Sequence, residues 1–532
     1  MKLRLLLLAA LLAGLVPAFS APPAVYNVLE HGIVPDGTTK NTAAIAAVIA
    51  KIKAAGGGTL YFPPGRYLTG SIHLESNLTL QLEGGATLLY SPDPADSPLV
   101  PSRWEGTTAW TYGPLLYANG KENIAITGRG TIDGQGQNWW WRAADKSPRR
   151  DVAEKARPVW RALGDRIQGG DGAKVTAEDF KEAANFIRPS LIVPYECKNI
   201  LIEGVTITNS PMWLLHTIYS ENITVRGVSF ISHGPNGDGY DLDSCRNVRI
   251  SDCYFDTGDD CIVIKSGRDA DGRRVARPTE LVTITNCVMY RGHGAVVIGS
   301  EMSGGIRDIT ASNIVTRGTD RGIRLKAQRG RGAVVENIRF DNWVIIDAPK
   351  EAIHITSNYS RMAEEPKSER TPVFRNIAIS NVTVVNAAKV AEIAGLSEQA
   401  IEQVRISDLK GTGKAGFTAD AADDLELHDV RIDAKEGPAF SFTNSRRLLL
   451  DNLATTTAPA GNAPVVSVVD STDVTLTGGR LRPDTKVYLK VDGARTAQVT
   501  AEVTGADPTQ QTAVAVMKAV PLGAVKVANP QP

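Results

Sequence analysis

The sequence predicts an all-β chain wound as a single-stranded right-handed parallel β-helix, and three observations carry that prediction. First, a short unit of one residue followed by alternating apolar positions recurs along the chain. It reads "NLTL" at Asn77, "NIAI" at Asn123, "NILI" at Asn199, "NITV" at Asn222, "NVRI" at Asn247, "NIRF" at Asn337 and "NIAI" at Asn376. Looser copies stand at Leu281, Ile306, Gln403, Asp424, Arg447 and Asp473. Second, from Asn199 onward the intervals run 23, 25, 34, 25, 31, 39, 27, 21, 23 and 26 residues, with Gly, Asn and Asp between the strand-like stretches. Three short strands cannot bury their inward side chains alone, whereas stacking coils at about 4.8 Å pairs the backbones and builds a continuous core. Longer intervals mark external loops. Third, Asn opens the unit in coil after coil, where side-chain amides can bond one another along the axis. A sandwich or a propeller would also give many short strands but explains no such asparagine.

Along the chain, residues 1–20 place Lys2 and Arg4 before an apolar run from Leu5 to Val16 and then small residues, the order of a cleaved secretory signal peptide. Residues 21–532 are read as one β-helical catalytic domain. Residues 141–187 interrupt the beat with a charged, partly helical insertion, in which Thr176 and Asp179 are spaced as a capping box. Residues 480–532 are read as final coils and a tail. Lys plus Arg equals Asp plus Glu at 58 each, so the chain lacks the basic excess of a nucleic-acid protein. The five cysteines are odd in number and read as core residues, with no zinc-type spacing among them.

The stretch "PNGDGYDLDSCRNVRISDCYFDTGDDCIVIKSG" carries seven aspartates. Asp238 and Asp260 are 22 residues apart, one coil, and therefore lie side by side, with Asp259 next to Asp260. Close carboxylates repel, so one of them keeps a proton while another stays ionised, the equipment for glycosidic hydrolysis. His293 follows one longer coil on. Arg324 and Lys326 are spaced i, i+2 and project from one face of a strand. Six basic residues against one acid between Arg317 and Arg331 predict a positive patch that draws an acidic polymer. Asp241 and Asp243 are read mainly as structural. Because neighbours on a regular strand face opposite sides, "TGDD" is expected at a turn or bulge before Cys261.

These residues resemble the ordered motifs of glycoside hydrolase family 28, the polygalacturonases and related pectin hydrolases, whose fold is the pectin-lyase-like solenoid. They stand here as "NGD" (Asn236 to Asp238), "DD" (Asp259, Asp260), "GHG" (Gly292 to Gly294) and "RLK" (Arg324 to Lys326), with Gly237 in place of the motif's Thr and Leu325 in place of its Ile. The resemblance implies an inverting hydrolase of α-1,4 linkages between galacturonate residues. Asp259 would be the general acid, Asp238 and Asp260 would activate water, and His293 would keep the acid protonated. Arg324 and Lys326 would bind a substrate carboxylate, with Tyr359 and His216 as further substrate contacts and packing as the alternative for both. No metal and no cofactor are expected. The expected partner is an acidic polysaccharide or oligogalacturonide, with no nucleic acid, no membrane after signal cleavage, a monomeric state and a secreted or periplasmic location. Internal or terminal cleavage stays open, depending on whether the 141–187 insertion closes the groove. The rival readings are a calcium-dependent pectate lyase or uronate epimerase, and a non-catalytic polysaccharide-binding protein.

Overall fold

The computed structural model describes residues 24–143, 149–505 and 510–528. The signal peptide expected at 1–20 lies outside the described residues. The described residues wind as a parallel β-helix, in which strands of successive coils pair in register. One column of strands runs Leu116–Asn119, Ile192–Tyr195, Leu215–Ile218, Tyr240–Asp243, Ile262–Lys265, Val296–Gly299, Ile323–Lys326 and Glu351–Thr356. Its inward residues align directly: Leu215 with Tyr240, Tyr240 with Ile262, Ile262 with Val296, Val296 with Ile323 and Ile323 with Ile353.

The recurring asparagine has a backbone reason as well as a side-chain one. Asn77, Asn123, Asn199, Asn222, Asn247, Asn337 and Asn376 all hold φ between 52° and 60°, the left-handed region that Asn tolerates best among residues with a Cβ. Each turns a corner of the coil. Their amides then bond from coil to coil: Asn123 Nδ2 donates to Asn77 Oδ1 at 2.8 Å, Asn199 to Asn123 at 2.9 Å, Asn222 to Asn199 at 3.0 Å and Asn247 to Asn222 at 2.8 Å. The looser copy placed at Ile306 is two residues out of register, because the corner is made by Asp308 (φ 60°), which accepts from Asn337 Nδ2 at 2.8 Å.

A second corner follows five residues after the first, at Gly204, Gly227, Asp252, Asn342 and Asn381, again with positive φ. Four-residue segments between two such corners are too short to show periodicity, so this beat escapes a search for alternation. Between the corners, Ile200, Ile223, Val248, Val282, Ile309 and Ile338 stack as one buried file. Phe230 lies flat on Phe255 with centroids 4.7 Å apart. Each such buried side chain contributes about 1.5–3 kcal/mol. All five cysteines are buried and free, as expected of core residues. The helix Thr42–Ala54 lays Ile45, Val48, Ile49 and Ile52 into the first coils, which keeps that end from presenting an open sheet edge. Coils continue beyond 480 through Val487–Asp492, Ala497–Thr504, Thr512–Val516 and Val525–Ala528.

Two excursions leave the solenoid and meet over one face. The strands Leu99–Trp104 and Thr107–Tyr112 form the antiparallel pair, joined by Glu105 and Gly106 with φ of 47° and 74°, the two positive values of a tight hairpin turn. The insertion supplies the helix Arg150–Arg166 and the short helix Ala177–Phe180, opened by the expected capping box of Thr176 and Asp179. Trp104 of the hairpin packs edge-on against Trp160 and Phe186 at 5.1 and 5.8 Å, and Ala109 joins Leu163, Ile167 and Phe180 in a separate small core.

The corner analysis gives a stability test. Asn222→Gly removes the amide ladder at one rung but keeps the turn, at a cost of about 0.5–1.5 kcal/mol per lost hydrogen bond. Asn222→Ala adds the left-handed penalty of about 1–2 kcal/mol. Urea unfolding monitored by circular dichroism is expected to rank wild type above Gly above Ala; Ala equal to or above Gly would contradict the corner role.

Candidate active site

The turns between coils carry the acids, and their register brings them together. Asp238 precedes the strand Tyr240–Asp243, and Gly239 N donates to Asp260 O at 3.0 Å, which fixes the two acids on neighbouring coils. Gly258, Asp259 and Asp260 lie between the strands Tyr254–Thr257 and Ile262–Lys265, so both aspartates leave a turn and not a strand, as expected. Thr257 Oγ1 closes that turn on Asp259 O at 2.7 Å. His293 N donates to Asp259 O at 3.1 Å, extending the strip by one coil.

Close approach explains the small residues. A Cβ on Gly237 would lie 2.9 Å from Gly234 O and 3.1 Å from Ser232 O, which accounts for glycine where the family motif has threonine. A Cβ on Gly294 would stand 2.4 Å from Val297 and 3.0 Å from Asp260 Oδ1, so any side chain there pushes into the acid.

Oxygen atoms of Asp238, Asp259 and Asp260 lie within 4.8 Å of one another. Arg324 Nη1 and Lys326 Nζ, from one face of Ile323–Lys326, donate to the two oxygens of Asp260 at 3.2 and 2.8 Å. Burial would raise the Asp260 carboxyl, but Lys326 and Arg324 outweigh it and hold the group below its ordinary range, hence ionised. Asp238 has no such partner: burial, then the charges of Asp259 and Asp241, push its carboxyl well above the usual value. His293 Nδ1 lies 2.9 Å from Asp259 Oδ1, and that hydrogen bond raises the imidazole above its ordinary 6.5 despite desolvation.

These groups line an open groove of ≈ 550 Å³. Tyr359, 46% exposed, stands at its rim with its ring 5.5 Å from both the Arg324 guanidinium and the Lys326 ammonium. Lys265, Glu301, Arg268 and Glu105 also face it and were not picked out from the sequence. Lys265 was within reach, since it stands two residues after Val263 on the same outward face as Lys326. It bonds Glu301 at 2.7 Å and lies 3.6 Å from Asp241. Glu105 comes from the hairpin turn and carried no signal.

His216 does not contact the groove. It faces outward one coil before Asp241, as its position implied, but it is fully buried, edge-on to Trp213 at 4.7 Å and 3.7 Å from Asp243. Enclosed by Trp213 and Asp243, His216 is a packing residue. Asp241 and Asp243 are likewise buried and structural. The basic run 317–331 is no single free patch. Arg317 faces Asp347 at 3.7 Å, Arg321 pairs with Glu351 at 2.8 Å, Arg329 with Glu398 at 2.6 Å and Arg331 with Asp269 at 2.5 Å.

Among the described residues, two groups have metal-ligand spacing: the three aspartates, and Glu351, His354 and Glu392. In the first, Asp260 is already engaged at both oxygens by cations, which suits it poorly to a Ca²⁺ ion seeking six to eight oxygen ligands. No helix among the described residues is long and apolar enough to cross a membrane.

The family model for glycosyl hydrolases family 28 matches residues 152–420, and a model described as rhamnogalacturonase A/epimerase, pectate lyase-like, matches residues 25–92. A probable polygalacturonase of Vitis vinifera is 33% identical over 398 residues, covering 72% of this chain and 73% of that protein. An exo-poly-alpha-D-galacturonosidase of Dickeya chrysanthemi is 30% identical over 439 residues, covering 77% and 71%. Among solved structures, an exopolygalacturonase from Thermotoga maritima superposes with a TM-score of 0.67 at 34% identity, over 78% of this chain and 93% of that one. A family 28 exopolygalacturonase of Yersinia enterocolitica gives 0.68 at 27% identity, over 82% and 78%. A bacteriophage HK620 tailspike, at 0.55 and 13% identity, shares the fold alone. Motif order, site geometry and these likenesses agree, and the chain belongs to glycosyl hydrolase family 28.

Proposed function

We propose that this protein hydrolyses α-1,4-linked galacturonate chains from one end. The observation that carries the hydrolytic reading is the groove itself: three aspartates within 4.8 Å, one of them locked ionised by Arg324 and Lys326, another pushed toward the protonated form, and an imidazole bonded to the third. Arg324 and Lys326 in the floor of the groove supply counter-charges for a substrate bearing one carboxylate per sugar. The relatives named as polygalacturonases and exopolygalacturonases act on the same class of polymer.

In this mechanism Asp259 and His293 work as one proton store. The pair holds a single proton, which passes through Asp259 to the departing glycosidic oxygen. Asp238 and Asp260 orient a water on the opposite face of the sugar, and Asp260, the ionised one, takes its proton as the new C–O bond forms. The carboxylates are closer than the roughly 6.5–9.5 Å usual for inverting enzymes, so inversion rests on the family resemblance and not on spacing. Tyr359 and the two cations beneath it hold a sugar carboxylate beside the scissile bond. Terminal attack is read from the covered end of the groove, where Glu105 and Arg268 stand across the path of a continuing chain. Export to a secreted or periplasmic location is part of the proposal, drawn from the order of residues in 1–20, as is action as a monomer.

The deciding experiment is a time course on polygalacturonate. A single small product from the first minutes, with the β-anomer appearing first by proton NMR, is expected. Unsaturated products absorbing in the ultraviolet would overturn hydrolysis, an early ladder of oligomers would overturn terminal attack, and α-anomer first would overturn inversion.

Asp259→Asn and Asp260→Asn are each expected to lower kcat by about 10²–10⁴-fold while oligogalacturonide binding by calorimetry stays within a few fold. Parallel loss of binding would mark them as structural.

The pH profile tests the proton store. The imidazole is raised by its hydrogen bond to Asp259, so the pair keeps its proton below that raised value and loses it as pH climbs through it. The alkaline limb of kcat/KM is therefore expected above 6.5, and in His293→Gln it should move toward acid, since only carboxyls remain to hold the proton. An unmoved limb would assign the store to the Asp238 cluster instead.

A further inference from the structure

We infer that the Leu99–Tyr112 hairpin, fastened by one buried ion pair between Arg103 and Asp243, is what restricts the groove to chain ends, with the 141–187 insertion as its buttress. The inference rests on the terminal-attack reading above.

The outward face of the groove column begins well before the catalytic coils. His216 and Ile218, then Asp241 and Asp243, occupy the positions that Lys265, Arg324 and Lys326 hold further along, so the unbroken solenoid would present a groove in both directions. All four are buried in this protein, whereas the face beyond them is open. The hairpin covers the Ile218 and Asp243 positions, while His216 lies against Trp213 and Asp241 beside Lys265. Val100 packs with Tyr117, Val193, Ile218 and Tyr219 into a small core laid on the outside of the sheet.

Arg103 fastens this cover. Its side chain is 1% exposed and Asp243 is fully buried, with Nη1 donating to Asp243 Oδ1 at 2.5 Å and to Ser244 Oγ at 3.1 Å. The guanidinium also lies 4.3 Å from the Tyr219 ring centroid. Burial and the Asp243 charge oppose each other on Arg103, and the aspartate prevails, keeping the guanidinium charged. Neither partner has another oppositely charged group as close: His216 is 3.7 Å from Asp243 and is itself pushed toward neutrality by burial. Removing either member leaves its partner unpaired beneath the hairpin, which weakens the fastening and favours lifting the hairpin so that water enters.

At the far end of the hairpin, Thr108 donates through N and Oγ1 to Asp271 at 3.0 and 2.9 Å, and Gly106 O accepts from Arg268 N at 2.9 Å. These contacts aim Glu105 across the groove, 3.3 Å from Arg268. The insertion touches the hairpin mainly from behind, through Trp160, Phe186 and Val175 O. It holds the wall up without being the wall. Arg103 is thus a positioning residue for specificity, remote from the reacting atoms.

The test compares wild type, Arg103→Met, Asp243→Asn and a variant in which residues 100–111 are replaced by a short Gly/Ser linker. Products from polygalacturonate are resolved by chromatography, and the fall in viscosity is measured per reducing end released. Each variant is expected to yield an oligomer ladder and a viscosity fall per bond at least tenfold steeper than wild type, while hydrolysis of digalacturonate changes by no more than a few fold. A merely structural role would lower both activities together and leave the product pattern unchanged. Should Arg103→Met or Asp243→Asn fail to fold, the linker variant decides. Folded variants that still release one small product overturn the inference. A ladder from wild type itself would instead sink the terminal-attack reading.

Discussion

Everything in this molecule depends on the vertical register of parallel coils. Backbone hydrogen bonds repeat at about 4.8 Å, so a residue's neighbour along the axis is set by coil length and not by sequence proximity. The register is held by left-handed corners, five residues apart, whose asparagine amides bond to the coils before and after. An error of one residue at a corner would turn an inward isoleucine outward and carry an aspartate into the core. That is why the inserted lengths differ so much while the corners do not drift. Extra residues are expelled as loops, and the loops are where chemistry gathers.

Stacking acids at that spacing is unfavourable unless something offsets the repulsion. The protein does so asymmetrically. Asp260 receives two cations, Asp259 an imidazole and Asp238 neither, so the Asp260 carboxyl is held below its ordinary range while that of Asp238 is pushed above it. The same rule operates beneath the hairpin, where Asp243 takes Arg103, and beside the groove, where Lys265 serves both Glu301 and Asp241. Charge pairing between coils is thus both the structural cement of the outer face and the means by which the site is tuned.

Part of this was legible without coordinates. The parallel solenoid followed from the asparagine beat, and the grouping of Asp238, Asp259, Asp260, His293, Arg324 and Lys326 followed from coil arithmetic plus the requirement that "TGDD" leave a strand. Each of those inferences uses short-range geometry that the solenoid makes long-range. The misplacements have the same origin. Asp308 was missed because a loose apolar match was favoured over a residue suited to positive φ. From the sequence His216 reads as a substrate contact with packing as the alternative, and coil arithmetic says nothing about what lies over a given face.

The sequence by itself determined the coil, its corners and the chemical identity of the groove, because in a solenoid local turn preference and alternation are repeated until they become architecture. Only the tertiary structure decided what lies over the outward face, which acid meets which cation, and which side chains are buried. Those depend on segments such as the Leu99–Tyr112 hairpin and on partners such as Arg103 and Asp243, 140 residues apart, whose meeting leaves no periodic trace in the chain.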